Sequence, residues 1–167
     1  FNSMQELYQH EKKIKKHQQV SHYSYGRYGS STTIELENIL KELEQAFHVF
    51  LTGTGFGGVA LAIMSLCRPG DEILVSDNVY GPTKEISEKL LKEFNVMAKF
   101  YNPDSFEDLS NKVTKKTKMI LVENPGSNTF EFQDLSKIVN LAKKKKIFTF
   151  LDNTWGTPLY LKPLKLG

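Results

Sequence analysis

One cysteine, Cys67, serves all 167 residues, so a disulfide-stapled scaffold is excluded. No apolar run approaches the roughly 18 residues that a membrane span needs. Residues 1–20 are polar and lysine-rich, without the apolar core of a signal peptide. These absences lead to the expectation of a soluble, cytoplasmic chain with no membrane partner. Arginine is scarce: of 22 basic residues only Arg27 and Arg68 are arginine. Nucleic-acid binders rely on arginine for bidentate contacts, so no nucleic-acid partner is expected. The lysine run at residues 143–146 reads as a solvated helix face near a C-terminus, where cations suit the dipole. The four histidines, His10, His17, His22 and His48, do not converge at metal-ligand spacing, and no metal is expected.

What is present is a chain able to build a core, 40% hydrophobic and with a formal net charge of only +3. From Phe47 onward short apolar runs alternate with helical patterns. Strands are expected at residues 47–51, 72–76, 96–101, 118–123 and 147–151. Helices are expected at 56–67, from Pro82 to Phe94, from Pro103 to Lys112, and after Asp134, with Pro82 in the first turn of its helix. The helix at 56–67 is apolar almost throughout, which suits a buried one, with Cys67 as packing. Such alternation means βαβ units: an α/β fold with a mostly parallel sheet and helices on both faces. Residues 1–45 differ, with a polar helix, a Tyr/Gly/Ser segment and a helix from Thr33 to Gln45. There Thr32 or Thr33, with a glutamate following, suggests a capping box.

In open α/β sheets ligands bind at the carboxyl ends of the strands. Four segments carry candidate chemistry, three of them there and one in the N-terminal Tyr/Gly/Ser segment. Gly53, Gly55, Gly57 and Gly58 lie between a strand and a helix, where backbone amides can cradle a phosphate; the alternative is a tight turn without ligand. The loop matches G-x-G-x-x-G through Gly53, Gly55 and Gly58, and Asp77 follows 19 residues later, which alone would point to a dinucleotide. Asp152 comes just after the last strand, as an acid that pairs with a cationic ring nitrogen would, or as a turn aspartate. Tyr80 follows the second strand, as a stacking platform or as a half-buried core aromatic. Arg27, between Tyr25 and Tyr28, is an anion ligand or a plain loop arginine.

Taken in order, Tyr25-Gly26-Arg27, Thr54-Gly55-Phe56, Pro69-Gly70-Asp71, Tyr80-Gly81-Pro82, Glu123-Asn124-Pro125-Gly126-Ser127 and Asp152-Asn153-Thr154-Trp155 resemble the cystathionine-lyase and cystathionine-synthase family of pyridoxal-phosphate (PLP) enzymes. The resemblance runs from Ser24 to Gly167, and Pro125-Gly126-Ser127 with Thr129 and Glu131 looks like its β-lyase branch. It implies a fold type I, aspartate-aminotransferase-like architecture and the cofactor pyridoxal 5'-phosphate. The Gly55 and Phe56 amides would hold the phosphate. Tyr80 would stack on the ring and take part in proton transfer, as the chain's one catalytic candidate. Asp152 would pair with the pyridinium nitrogen. Tyr25 and Arg27 would reach the phosphate in a neighbouring subunit of a homo-oligomer. The substrate would be a sulfur amino acid, cleaved by β-elimination in trans-sulfuration and methionine biosynthesis. The pattern departs at Thr54, Phe56 and Asn124. The resemblance accounts for Tyr80, Asp152, Tyr25 and Arg27, which a dinucleotide site leaves unexplained, and displaces that alternative.

The family's Schiff-base lysine follows the ring-pairing aspartate by roughly two dozen residues in a Ser/Thr-rich segment. Lys162 and Lys165 come too early and lack that context. The expectation is therefore an N-terminal arm and helices over residues 1–45 and the first half of a PLP-binding domain over 46–167. The lysine would come from a complementary C-terminal chain, or the chain would be a non-catalytic remnant.

Overall fold

The computed structural model describes residues 2–16 and 25–167. His17, His22 and the Ser24 start of the resemblance lie outside them. The chain divides into two compact units, Phe1–Leu51 and Thr52–Gly167.

In the first unit, α1 spans Met4–Lys15 and starts at Ser3, whose side chain accepts the Glu6 amide. A 3-10 turn covers Gly26–Tyr28. Helix α2 spans Ser31–Glu44. Its cap is Ser30, not Thr32 or Thr33. The Ser30 amide donates to Thr33 Oγ1 at 2.8 Å and Ser30 Oγ accepts the Thr33 amide at 3.4 Å, so threonine fills the place expected of glutamate. The strand expected at residues 47–51 does not form. Phe47 and Phe50 are 96% and 74% exposed, and no strand of the described residues pairs with this segment. An apolar run becomes a sheet strand only where a ladder neighbour takes up its backbone groups.

The second unit holds α3 (Gly55–Leu66), β1 (Glu72–Ser76), α4 (Gly81–Glu88), α5 (Leu90–Glu93), β2 (Met97–Tyr101), α6 (Phe106–Lys112), β3 (Thr117–Glu123), α7 (Leu135–Lys145), β4 (Phe148–Asp152) and α8 (Thr157–Tyr160). The helix expected from Pro82 to Phe94 is broken at Lys89 into α4 and α5. The next starts at Phe106 rather than Pro103, because Ser105 is its cap and accepts the Asp108 amide. Lys143, Lys144 and Lys145 form the exposed last turn of α7 as expected, and Lys146 caps it in the left-handed region.

The sheet is wholly parallel, in the order β2-β1-β3-β4. Its two central strands alternate side chains between faces with period two. Ile73, Val75, Met119 and Leu121 pack on one face with Val59 and Ile63 of α3 and Leu91 of α5. Leu74, Ile120 and Val122 pack on the other with Leu109 of α6 and Ile138 and Ala142 of α7. Helices cover both faces, which is why β1 and β3 read as unbroken apolar runs. Helix α3 buries only one side, however. Leu61 and Met64 are exposed, so its apolar sequence did not mean full burial. Cys67 is buried at its C-cap.

At the amino edge Glu72 is bound by Lys99 Nζ at 2.6 Å and by Thr114 Oγ1 at 3.2 Å. The Lys99 bond, ahead of the opposing effect of burial, holds the Glu72 carboxyl below its ordinary range. A depressed folded value contributes stability above the unfolded value of about 4.3, lost as pH falls through the folded one. Urea midpoints should therefore fall between pH 5 and the acid limit, and Glu72→Gln should flatten that part of the profile. Ile63 is fully buried between helix and sheet. Ile63→Ala should cost about 2–5 kcal/mol in urea unfolding.

Candidate active site at the carboxyl edge of the sheet

Helix α3 joins β1 through the short turn Pro69-Gly70-Asp71, where Gly70 takes φ +98, a conformation that favours glycine. So short a link brings the end of α3 to the start of β1. The α3 N-terminus therefore lies at the carboxyl edge of the sheet, on the face where Val59 and Ile63 pack against β1 and β3. There Thr54 is the N-cap. Its Oγ1 accepts the Gly57 amide at 2.9 Å and its carbonyl the Gly58 amide at 3.2 Å. Helix geometry gives the first amides, those of Gly55 and Phe56, no intrahelical acceptor. They remain as donors, reinforced by the helix dipole, toward an anion. A Cβ on Gly53 or Gly55 would meet nothing within 4 Å, so these glycines leave open space rather than relieve a clash. Thr54, a departure from the family pattern, thus acts as a cap.

Across the same edge, Tyr80 precedes α4 with its side chain half exposed. Its amide donates to Glu123 Oε2 at 2.7 Å. Glu123 ends β3 and is 4% exposed. It stands in register with Asp152 at the end of β4. Burial first, and the neighbouring Asp152 charge after it, push the Glu123 carboxyl up, against the Tyr80 amide and the Ser127 side chain, which stabilise its charge. The Asp152 carboxylate accepts the Thr154 amide at 3.0 Å and the Thr154 hydroxyl at 2.5 Å, both on Oδ1. Phe130 and Trp155 meet edge to face at 5.0 Å.

Behind this rim lies a buried polar network that sequence reasoning missed. Gln133 Nε2 donates to Ser76 Oγ at 3.0 Å and to the Glu123 carbonyl at 3.2 Å. Its Oε1 accepts the Tyr101 hydroxyl at 2.9 Å, and its own amide donates to Asn124 Oδ1 at 2.7 Å. Ser76 in turn donates to Asn78 Oδ1 at 2.6 Å. Gly126 passes so close to this cluster that a Cβ would sit 2.3 Å from Asn78 Nδ2 and 2.7 Å from Glu131 Oε2. The Asn124–Pro125 bond is cis. The sequence signal was a run of polar residues, Asn124, Glu131 and Gln133, beside a strand too apolar to need them.

The structure thus brings Gly55, Phe56, Tyr80 and Asp152 to one edge of the second unit. Tyr25 and Arg27 belong to the first unit, where the Arg27 guanidinium lies 5.2 Å and 5.4 Å from the Tyr25 and Tyr28 ring centres. Asp77, the acid of the dinucleotide alternative, is paired with Lys84 at 2.5 Å. Among the described residues no group of three His, Cys, Asp or Glu side chains could hold a metal, and no helix is long and apolar enough to cross a membrane.

This parallel sheet, with a helix N-terminus and strand-end carboxylates at one edge, defines part of a fold type I PLP-dependent large domain. Solved structures agree. One from Campylobacter jejuni subsp. jejuni, which holds N'-pyridoxyl-lysine-5'-monophosphate, superposes with a TM-score of 0.86 at 27% identity over 96% of this chain and 40% of its own. The family model for Cys/Met metabolism PLP-dependent enzymes matches residues 3–167, and the chain belongs to that family. A Saccharomyces cerevisiae relative, provisionally named a cystathionine beta-lyase, is 41% identical over 136 residues, 81% of this chain and 40% of its own. An L-alanine/L-glutamate racemase of Wolbachia pipientis wMel is 34% identical over 145 residues, 87% of this chain and 36% of its own. The chain spans about two fifths of the length of these curated relatives.

Gln133→Leu would strand the Tyr101 hydroxyl and the Glu123 carbonyl in the core. It should destabilise the second unit by about 1–3 kcal/mol in urea unfolding.

Proposed function

We propose that this segment forms the phosphate- and ring-binding half of the active site of a PLP-dependent carbon–sulfur lyase acting on a sulfur amino acid such as cystathionine. The observation that carries the proposal is the opposition of two charges across one edge. The α3 N-terminus offers amide donors to an anion, and the Asp152 carboxylate, at the end of β4 on the same edge, suits a protonated ring nitrogen. The donor set fits PLP, which has a phosphate at one end and a pyridine nitrogen in its ring. When bound, PLP supplies an electron sink for the bond-breaking at the substrate α-carbon.

The chain's own residues then have separate tasks. The Gly55 and Phe56 amides hold the phosphate, so the identity of the Phe56 side chain is secondary. The Asp152 carboxylate keeps a proton on the ring nitrogen, and Thr154 fixes the carboxylate by two bonds to Oδ1. The Tyr80 ring stacks on the cofactor and its hydroxyl hands a proton on. Tyr25 and Arg27 serve as phosphate ligands of a neighbouring subunit. The lysine that carries the cofactor is not assigned to any of the 167 residues. The β-lyase assignment rests on the order of the matched motifs and on the name of the yeast relative.

A direct test is cofactor affinity in the full-length protein. Gly55 is the first residue of α3, Thr54 before it is extended (φ −149, ψ 153), and a Cβ there meets nothing. Gly55→Pro therefore keeps the helix start and deletes one amide donor. It should weaken PLP binding about tenfold, the effect of losing one hydrogen bond to a charged group, while unfolding stays near wild type. Asp152→Ala should weaken it at least as much. Incubation with L-cystathionine should yield pyruvate and a free thiol in equal amounts. Exchange of the L-alanine α-proton with solvent, without pyruvate, would instead favour the racemase activity.

A further inference from the structure

Glu123 makes no contact that a PLP phosphate or ring nitrogen calls for, yet it sits beside two residues assigned to the ring, Tyr80 and Asp152. Its side chain is buried at the end of β3. Three groups face it from three elements: the Tyr80 amide from the turn after β1, the Ser127 side chain from the loop after β3, and Asp152 from β4. Tyr80 has no side-chain cap bond of its own at the start of α4. The Glu123 carboxylate thus ties the Tyr80 amide itself to the end of β3, while the Val79 amide holds the same turn to the Ser76 carbonyl.

A glutamate here is costly, because a buried carboxylate beside a second carboxylate is disfavoured in its charged form. A merely apolar strand end would avoid that cost. What the carboxylate gains is a grip on two loops at once, with the ring-pairing aspartate as its register neighbour.

We propose that Glu123 is a positioning residue: by holding the Tyr80 amide it sets where the Tyr80 ring leaves the rim, and through that ring the affinity for PLP. The proposal rests on the cofactor site argued above.

Two readouts in the full-length protein separate it from that site. Hydrogen-exchange mass spectrometry on peptides covering residues 78–81 reports the Tyr80 amide without any cofactor. Equilibrium dialysis reports PLP affinity without any substrate. Glu123→Leu should speed exchange at residues 78–81 and weaken PLP binding, each about tenfold. Glu123→Gln, which keeps an acceptor for the amide, should stay within about threefold of wild type in both. If a folded Glu123→Leu protein exchanges like wild type, Glu123 does not hold the turn and the proposal falls. It falls equally if Glu123→Gln loses PLP about tenfold while exchange at 78–81 is unchanged, and this arm decides the matter should the leucine variant not fold. If the wild-type protein binds no PLP, the cofactor site fails, and the exchange data still show whether Glu123 holds Tyr80.

Discussion

Four parallel strands that end at one edge leave their last polar groups at the border between core and solvent, and one side-chain amide, that of Gln133, resolves this. It meets Ser76 at the end of β1, Tyr101 at the end of β2 and the Glu123 carbonyl at the end of β3. Its backbone amide takes Asn124 Oδ1 as well. An amide side chain can both donate and accept, so it satisfies groups of opposite kind at once. In a buried place each of those groups would otherwise be unpaired, which is the expensive state. The loop from Asn124 to Gln133 is thereby pinned, and with it the turn after β1, which Ser127 joins through the Asn78 carbonyl at 3.0 Å. The positions of Tyr80, Glu123 and Asp152 all depend on this frame.

On that frame the edge is electrostatically divided. The α3 N-terminus presents amides and a partial positive charge. Glu123 and Asp152 present two carboxyl groups on adjacent strands. Burial raises Glu123 first, and the like charge of Asp152 adds to it. Because Asp152 is the less buried and is held by Thr154, it is the carboxylate available to a cation. A ligand with an anionic end and a protonatable ring matches this division, and a dinucleotide does not need it. Asp77, which a dinucleotide would use, is already engaged by Lys84.

Much of the fold was legible in the chain of residues. The unbroken apolar runs of β1 and β3 mark a doubly covered parallel sheet, because burial on both faces removes the polar alternation. Pro82 and Asp134 mark helix starts because φ and capping are local properties. The matched motifs indicated the family because their order spans the second unit. Where local and long-range requirements part, the sequence misled. Residues 47–51 are as apolar as a strand yet pair with none among the described residues, and α3 is apolar on a side it leaves exposed. Thr32 and Thr33 looked like caps, but Ser30 reached the free amides first.

The sequence by itself determined what kind of site this is: a glycine-rich helix start, an aromatic after one strand and an acid after another are chemical identities, and they stand in the chain whatever its shape. Only the tertiary structure decided which residues hold them in place. Glu123 and Gln133 lie 43 and 57 positions from their partners Tyr80 and Ser76. No local pattern connects residues so far apart. They meet because the sheet order β2-β1-β3-β4 places β3 beside β1, and hydrogen bonds of that kind follow topology rather than sequence spacing.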